Sequence, residues 1–257
     1  MNLIVAGTFA SLAAGAMTAL GAVPVLFGRR VSVRAQDTLL GFAAGVMLAA
    51  SFFSLIVPGI EAARDLYGGS FVPAGIAVGG VLLGALAIAL GNEWIPHRHF
   101  VQGAQGPLAS SADKVWLFVA AITLHNFPEG AAVGVGFATG DMVQATTLAV
   151  GIGLQNAPEG LAVAVALIAE GYTRGLAFLI AALTALVEPI GGFLGVSAAS
   201  VSAPFLPWAL TFAAGAMIYV ISHEIIPETH TRGHQREATA GLIVGLAVMM
   251  FLDIALS

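Results

Sequence analysis

The 257-residue sequence contains no cysteine, so it can build neither a disulfide framework nor a thiolate metal cluster. Charge is scarce as well: nine Lys+Arg and fourteen Asp+Glu make up 9% of the chain, where soluble domains carry about a quarter. So few ionised groups cannot cover a water-facing surface of this size. There is no basic tract and the formal net charge is −5, which leaves nucleic-acid binding without an electrostatic footing. What is abundant points to a bilayer as the solvent. Hydrophobic residues make 58% of the chain and glycine contributes 32 positions, the latter expected where membrane helices pack closely. The composition predicts an all-α integral membrane protein, with residues 1–257 forming a single domain.

Apolar runs bounded by charges or turn residues predict eight spans, at about 3–28, 38–60, 72–91, 115–138, 143–169, 175–199, 204–226 and 238–256. Each can cross the hydrocarbon core, since ~20 helical residues at a rise of ~1.5 Å reach ~30 Å. The first run is too long for a signal-peptide core and is followed, not preceded, by Arg29 and Arg30; it reads as a retained helix. With the N-terminus outside, Arg29, Arg30, Arg34, Arg98, Lys114, Arg174, Arg232 and Arg236 all fall on the inner side and only Arg64 falls outside. The positive-inside rule then puts both termini outside and the one long connection, 92–114, in the cytoplasm. That loop carries glycines, prolines, His97 and His99, a composition that favours mobility. His97 and His99 are placed to receive a cation after release, with simple exposure as the alternative. His230 and His234 read as solvated residues of the last inner loop.

Three acids sit near the middle of their spans: Glu129, Glu159 and Glu188. A charge at that depth costs ~2.5–3.5 kcal/mol on insertion scales, which marks such residues as functional candidates. No lysine or arginine is predicted at the same depth, so these carboxyls must bind protons or a cation. Glu224 and Asp253 lie near span ends, where interfacial water can reach them. The fourth and fifth spans repeat a motif: His125-Asn126-Phe127-Pro128-Glu129-Gly130 returns thirty residues later as Gln155-Asn156-Ala157-Pro158-Glu159-Gly160. On a helix, positions i and i+4 share a face, so His125 lies one turn from Glu129 and Gln155 one turn from Glu159. Asn126 and Asn156 stand three residues before the same glutamates. Pro128, Pro158 and Pro189 each remove an amide donor and are expected to kink their helices. At this depth such backbone is tolerated only where it is buried in protein or lines a wet cavity. The second span can add the thioether of Met47. Its Gly41-Phe42-Ala43-Ala44-Gly45 stretch suits a smooth sliding surface or, equally, plain helix packing.

Imidazole, carboxylate, amide and thioether form a mixed donor set. Mg²⁺ and Ca²⁺ prefer all-oxygen sites, whereas this set suits Zn²⁺, Cd²⁺, Fe²⁺ or Mn²⁺. At these residues the sequence resembles the ZIP (Zrt-, Irt-like protein) family of divalent metal transporters, most closely its bacterial GufA-like branch. The resemblance covers essentially the whole chain. It implies a primary metal site of Met47, His125, Glu129, Gln155 and Glu159. It further implies an adjoining second site of Asn126, Glu129, Asn156, Glu159 and Glu188, bridged by the glutamates. Some members carry aspartate where Asn156 stands, and the amide removes one negative charge. The same resemblance implies a multi-pass protein of the cell inner membrane that moves zinc inward by alternating access of an elevator type. Spans one, four, five and six would slide against the rest. The metal is cargo, and no resident cofactor is implied.

Toward the outer face, Glu61 and Asp253 can attract cations at an entrance or serve as solvated interfacial acids. His223 and Glu224, at the inner end of the seventh span, are implied as an exit pair. Two other functions compete. A calcium/cation or cation/proton exchanger would favour oxygen-only ligands, against His125. An intramembrane metalloprotease needs His-Glu-x-x-His, but Pro227 stands four residues after His223 and Glu129 four after His125. Neither segment fits, and no enzyme is expected. Lipid-facing and partner-facing helices look alike in sequence, so a homodimer is an open alternative to a monomer.

Overall fold

The computed structural model describes residues 2–28, 31–94, 97–99, 103–105, 114–169 and 171–256, with side chains described outside 92–122, 124 and 125. Arg29 and Arg30 therefore lie outside the described residues, as do the side chains of His97, Arg98, His99, Lys114 and His125. Helix α1 (Leu3–Ala22) starts where the Asn2 side chain accepts the Ile4 amide. It ends through a 3-10 turn (Val23–Phe27) on Gly28, which has φ of +70°. A side chain at Gly28 would be strained by that φ and would also meet the Arg174 guanidinium. Ser32 caps α2 (Val33–Ala49) in the same way as Asn2 caps α1.

The second span does not end at the predicted residue 60. It passes through a π-helical turn (Ala50–Ile56) into α3 (Val57–Tyr67). A second π turn (Ile221–Ile225) joins α9 (Leu206–Val220) to the four-residue α10 (Ile226–Thr229). Each π turn stands immediately ahead of a proline in the first turn of the next helix, Pro58 and Pro227. Proline has no amide to donate and its ring crowds the carbonyl four residues back, here Ser54 and His223. Widening the helix by one residue relieves that crowding, a device often found at functional sites.

The other spans are α4 (Phe71–Trp94), α5 (Lys114–Ala138), α6 (Met142–Ala169), the pair α7 (Arg174–Thr184) and α8 (Val187–Ala199), and α11 (Gln235–Leu256). Seven segments among the described residues are long and apolar enough to cross a membrane. The N-terminal part of α5 (114–122, 124 and 125) lacks described side chains. Within the 92–114 connection, β1 (His97–His99) pairs antiparallel with β2 (Gly103–Gln105), His97 opposite Gln105; this short ladder is a local addition to an otherwise helical chain. α5 and α6 run unbroken through Pro128 and Pro158. The sixth span is broken instead at Ala185 and Leu186, so that Pro189 falls in the first turn of α8. Ala185 is four residues before Pro189 and is the residue whose carbonyl the ring would strike.

Glycine divides these helices into two bundles. α1 and α6 meet at Gly21 and Gly160, and α5 and α8 meet at Gly130, Gly134, Gly191 and Gly195; at each a Cβ would run into a backbone carbonyl of the partner helix. In the same way α2 and α11 meet at Gly41, Gly45, Gly241 and Gly245, and α4 and α9 meet at Gly84 and Gly215. Among the described residues, no glycine makes such a backbone approach between α1/α5/α6/α7/α8 and α2/α3/α4/α9/α11. Those two sets touch through apolar side chains such as Val46, Met47, Leu148, Ile152, Leu210, Met217 and Met249. Gly41 and Gly45 are thus packed onto the backbone of α11, inside one bundle, and do not form a free sliding face. The outer surface carries Phe9, Leu82, Phe251 and Ile254 exposed, while polar groups lie inside. This reversal of the soluble pattern is what a hydrocarbon surrounding requires.

At the predicted inner end, the buried carboxylate of Asp37 is held by His234 Nδ1 at 3.0 Å and by Arg232 at 3.6 Å. Arg232 also bonds Glu228 at 2.9 Å. His234 and His230 are therefore engaged rather than solvated: His230 Nδ1 lies 2.9 Å from the Ile226 carbonyl. The cluster ties α2 to the loop before α11.

Candidate metal site

The repeated motif of α5 and α6 places its described amides and carboxylates inside the protein. Asn126, Glu129, Gln155, Asn156, Glu159, Glu188 and Met47 are all buried, with Glu129, Gln155, Glu188 and Met47 wholly inaccessible. Each position has a local cause. In both motifs the terminal glycine is the contact residue: Gly130 sits against the carbonyl of Glu188, and Gly160 against the carbonyl of Thr18. Gly191 returns the contact onto the carbonyl of Phe127. The turn carrying Glu129 is thereby pressed onto the turn carrying Glu188, and the turn carrying Glu159 onto α1. The packing role of these glycines is not visible in either motif alone, and Pro-Glu-Gly recurring in both spans is its only trace in the sequence.

A hydrogen-bond chain links three of the helices. Gln155 Nε2 donates to Asn156 Oδ1. Asn156 Nδ2 donates to the Ala14 carbonyl at 3.0 Å and to the two Glu188 oxygens at 3.0 and 3.1 Å. Ser11 Oγ donates to the Glu188 carbonyl at 2.7 Å. Among the described residues, Gln155 Oε1 and Asn126 Nδ2 are buried without a hydrogen-bond partner. A buried amide oxygen left in that state costs roughly 1–3 kcal/mol, and a cation beside it would recover that cost. The described arginines all lie at helix ends or in loops: Arg34, Arg64, Arg174, Arg232 and Arg236. None stands at the depth of the glutamates, in line with the sequence arithmetic.

Among the described residues no three His, Asp or Glu side chains form a ready metal cluster; the His125 side chain lies outside them, and only its backbone place in α5 is given. The contacts of Gly130 and Asn156 with Glu188 bring α5 and α6 together with α8, while Met47 is buried in an apolar cluster with Leu148 and Ile152. The accessory candidates lie on other elements. Asp253 is buried and accepts a 2.7 Å hydrogen bond from Ser54 Oγ in the first π turn. Glu61 is exposed on α3 and is not brought into that pair. His223 and Glu224 occupy the second π turn; Glu224 is buried and the His223 ring lies 5.1 Å from that of Tyr219. Ser54 and Asp37 were not singled out in the sequence, being a small polar residue and a span-end acid of ordinary type.

The family profile described as "ZIP Zinc transporter" matches residues 96–253, more than half of the chain. The chain belongs to the ZIP family. This ZIP protein is 51% identical over 241 residues to "Zinc transporter ZIPB" of Bordetella bronchiseptica, covering 94% of this chain and 78% of that relative. It is 46% identical over 252 residues to "Zinc transporter GufA" of Myxococcus xanthus, covering 98% and 99% of the two chains. With "Zinc transporter ZIP11" of Homo sapiens it shares 34% identity over 322 aligned positions, covering 93% and 94%. The relatives named here are transporters rather than enzymes, and the ZIP protein is a multi-pass membrane protein.

Proposed function

We propose that this ZIP protein carries Zn²⁺, and with it Cd²⁺, Fe²⁺ or Mn²⁺, into the cytoplasm through a polar chamber between α2, α5 and α6. The observation that carries this reading is a set of buried carboxylates and amides, Glu129, Glu159 and Gln155, inside apolar helices of a chain whose relatives are named zinc transporters. The proposed ligands are Met47, His125, Glu129, Gln155 and Glu159, with Asn126 at the edge of the chamber. The ion is cargo, held by donors labile enough to release it. α5 completes eight spans, with both termini outside the cell inner membrane.

The two bundles support alternating access. Within each, glycine contacts bring backbones together; between them, among the described residues, no glycine brings backbone against backbone, so the bundle of α1, α5, α6, α7 and α8 can shift against the other as a body. Asp253 with Ser54 lies on the outer approach, His223 with Glu224 on the inner one, and His97 and His99 beyond it. The exposed apolar face of α4, with Phe71, Leu82 and Leu86, suits lipid or a second copy of the chain.

Uptake into proteoliposomes across a metal panel, with and without a pH gradient, tests the reading. Zinc flux that calcium in equal amount leaves intact is the expected result. Calcium competing on equal terms would replace the reading with that of an oxygen-ligand exchanger, and no flux of any metal would end it.

A further inference from the structure

Asn156 has every hydrogen-bonding group directed. Its Oδ1 accepts from Gln155 Nε2, and its Nδ2 donates to the Ala14 carbonyl at 3.0 Å and to both Glu188 oxygens at 3.0 and 3.1 Å. The side chain is 1% exposed and Glu188 is wholly buried. The amide NH₂ therefore faces the Glu188 carboxylate from the side on which α6 approaches, and it is the positive end of the amide dipole. A cation placed between these two residues would have to displace the N–H groups that already occupy the Glu188 oxygens, and on the Asn156 side it would meet donors rather than lone pairs. The same chain acts in the other direction on Gln155. Because Gln155 spends its NH₂ on Asn156, its Oε1 is left without a hydrogen-bond partner among the described residues, buried and available as an oxygen donor.

We infer that Asn156 is a positioning residue that limits the chamber to one metal ion. It holds Glu188 as an anchor of α1, α6 and α8, in the place where a second cation would otherwise sit, and it presents Gln155 Oε1 to the first. The Ser11 hydroxyl, donating to the Glu188 carbonyl at 2.7 Å, fixes the same anchor from α1. This inference rests on the chamber being the metal site proposed above. Replacing the amide by a carboxylate reverses its effect: Asn156→Asp turns a donor into an acceptor beside Glu188, and two adjacent buried carboxylates favour a shared cation.

The test is zinc stoichiometry. Full-length protein, stripped by chelator and purified in detergent, is equilibrated with Zn²⁺ alone, and bound zinc is counted relative to Glu129→Ala in the same background. The wild-type chain is expected to hold one equivalent and Asn156→Asp two. Two equivalents in the wild type, or one in a folded Asn156→Asp, overturns the inference while leaving the metal site standing. No equivalent in the wild type overturns the site itself and the inference with it. Glu188→Gln decides the matter should Asn156→Asp fail to fold. An amide at 188 still holds Asn156, so one equivalent within about threefold of wild-type affinity is expected. A larger loss makes Glu188 more than an anchor for Asn156 and ends the inference.

Discussion

Glu129→Ala will abolish zinc uptake and leave the protein folded. Glu129 is wholly buried at the turn where α5 presses onto α8, and its carboxylate is central to the proposed ligand set. Mutating mere outer partners of metal ligands typically costs roughly 10–100-fold in affinity or activity, so losing this carboxylate should cost at least ~100-fold in flux. Folding should survive, because removing an ionisable group from the membrane interior also removes its insertion cost. Glu159→Ala is expected to behave alike, its carboxylate being the counterpart on α6. Flux at fixed zinc in proteoliposomes, with protein recovery by size exclusion, separates loss of transport from loss of fold. Near-normal flux in both variants would refute the chamber.

The second large effect concerns structure. Gly160→Ala should destabilise the protein by ~3 kcal/mol, the upper end for overpacking. A Cβ at Gly160 would overlap the Thr18 carbonyl, and backbone cannot swing aside as a flexible side chain can. α1 and α6 would have to separate, pulling Glu159 and Asn156 out of register. Gly75→Ala is the control: it has open space around its Cβ position and is exposed on α4. It should cost nothing and gain a few tenths of a kcal/mol from helix propensity. Thermal unfolding in detergent should show a drop of several degrees for Gly160→Ala and none for Gly75→Ala. Equal melting temperatures would mean that α1 and α6 are not held by that contact.

Much of this was legible in the sequence because membrane helices write their position in composition. Runs of apolar residues anticipated the long helices, seven of which among the described residues are apolar enough to cross a membrane, and the mid-span glutamates proved to be buried, since a charge in hydrocarbon has no bland reason to be there. Prolines were harder to read. Pro128 and Pro158 interrupt hydrogen bonding without breaking α5 or α6, whereas Pro58 and Pro227 are preceded by π turns. A proline's ring crowds the carbonyl four residues earlier in every case; whether the helix bends, widens or breaks depends on neighbouring helices. Glycines were harder still. Gly41 and Gly45 look like a smooth face in one dimension, and only the position of α11 shows them packed against backbone. The Asp37–His234–Arg232 cluster joins residues almost two hundred positions apart, a distance across which no local pattern runs.

In the proposed function the cargo ion binds among Glu129, Glu159 and Gln155 at the midplane. Zinc-edge anomalous diffraction from crystals of the zinc-loaded protein tests it most directly. An anomalous peak is expected within coordination distance of the Glu129 and Glu159 carboxylates and of Gln155 Oε1, absent in Glu129→Ala. A peak confined to the loop histidines or to His223 and Glu224, with none between α5 and α6, would contradict it.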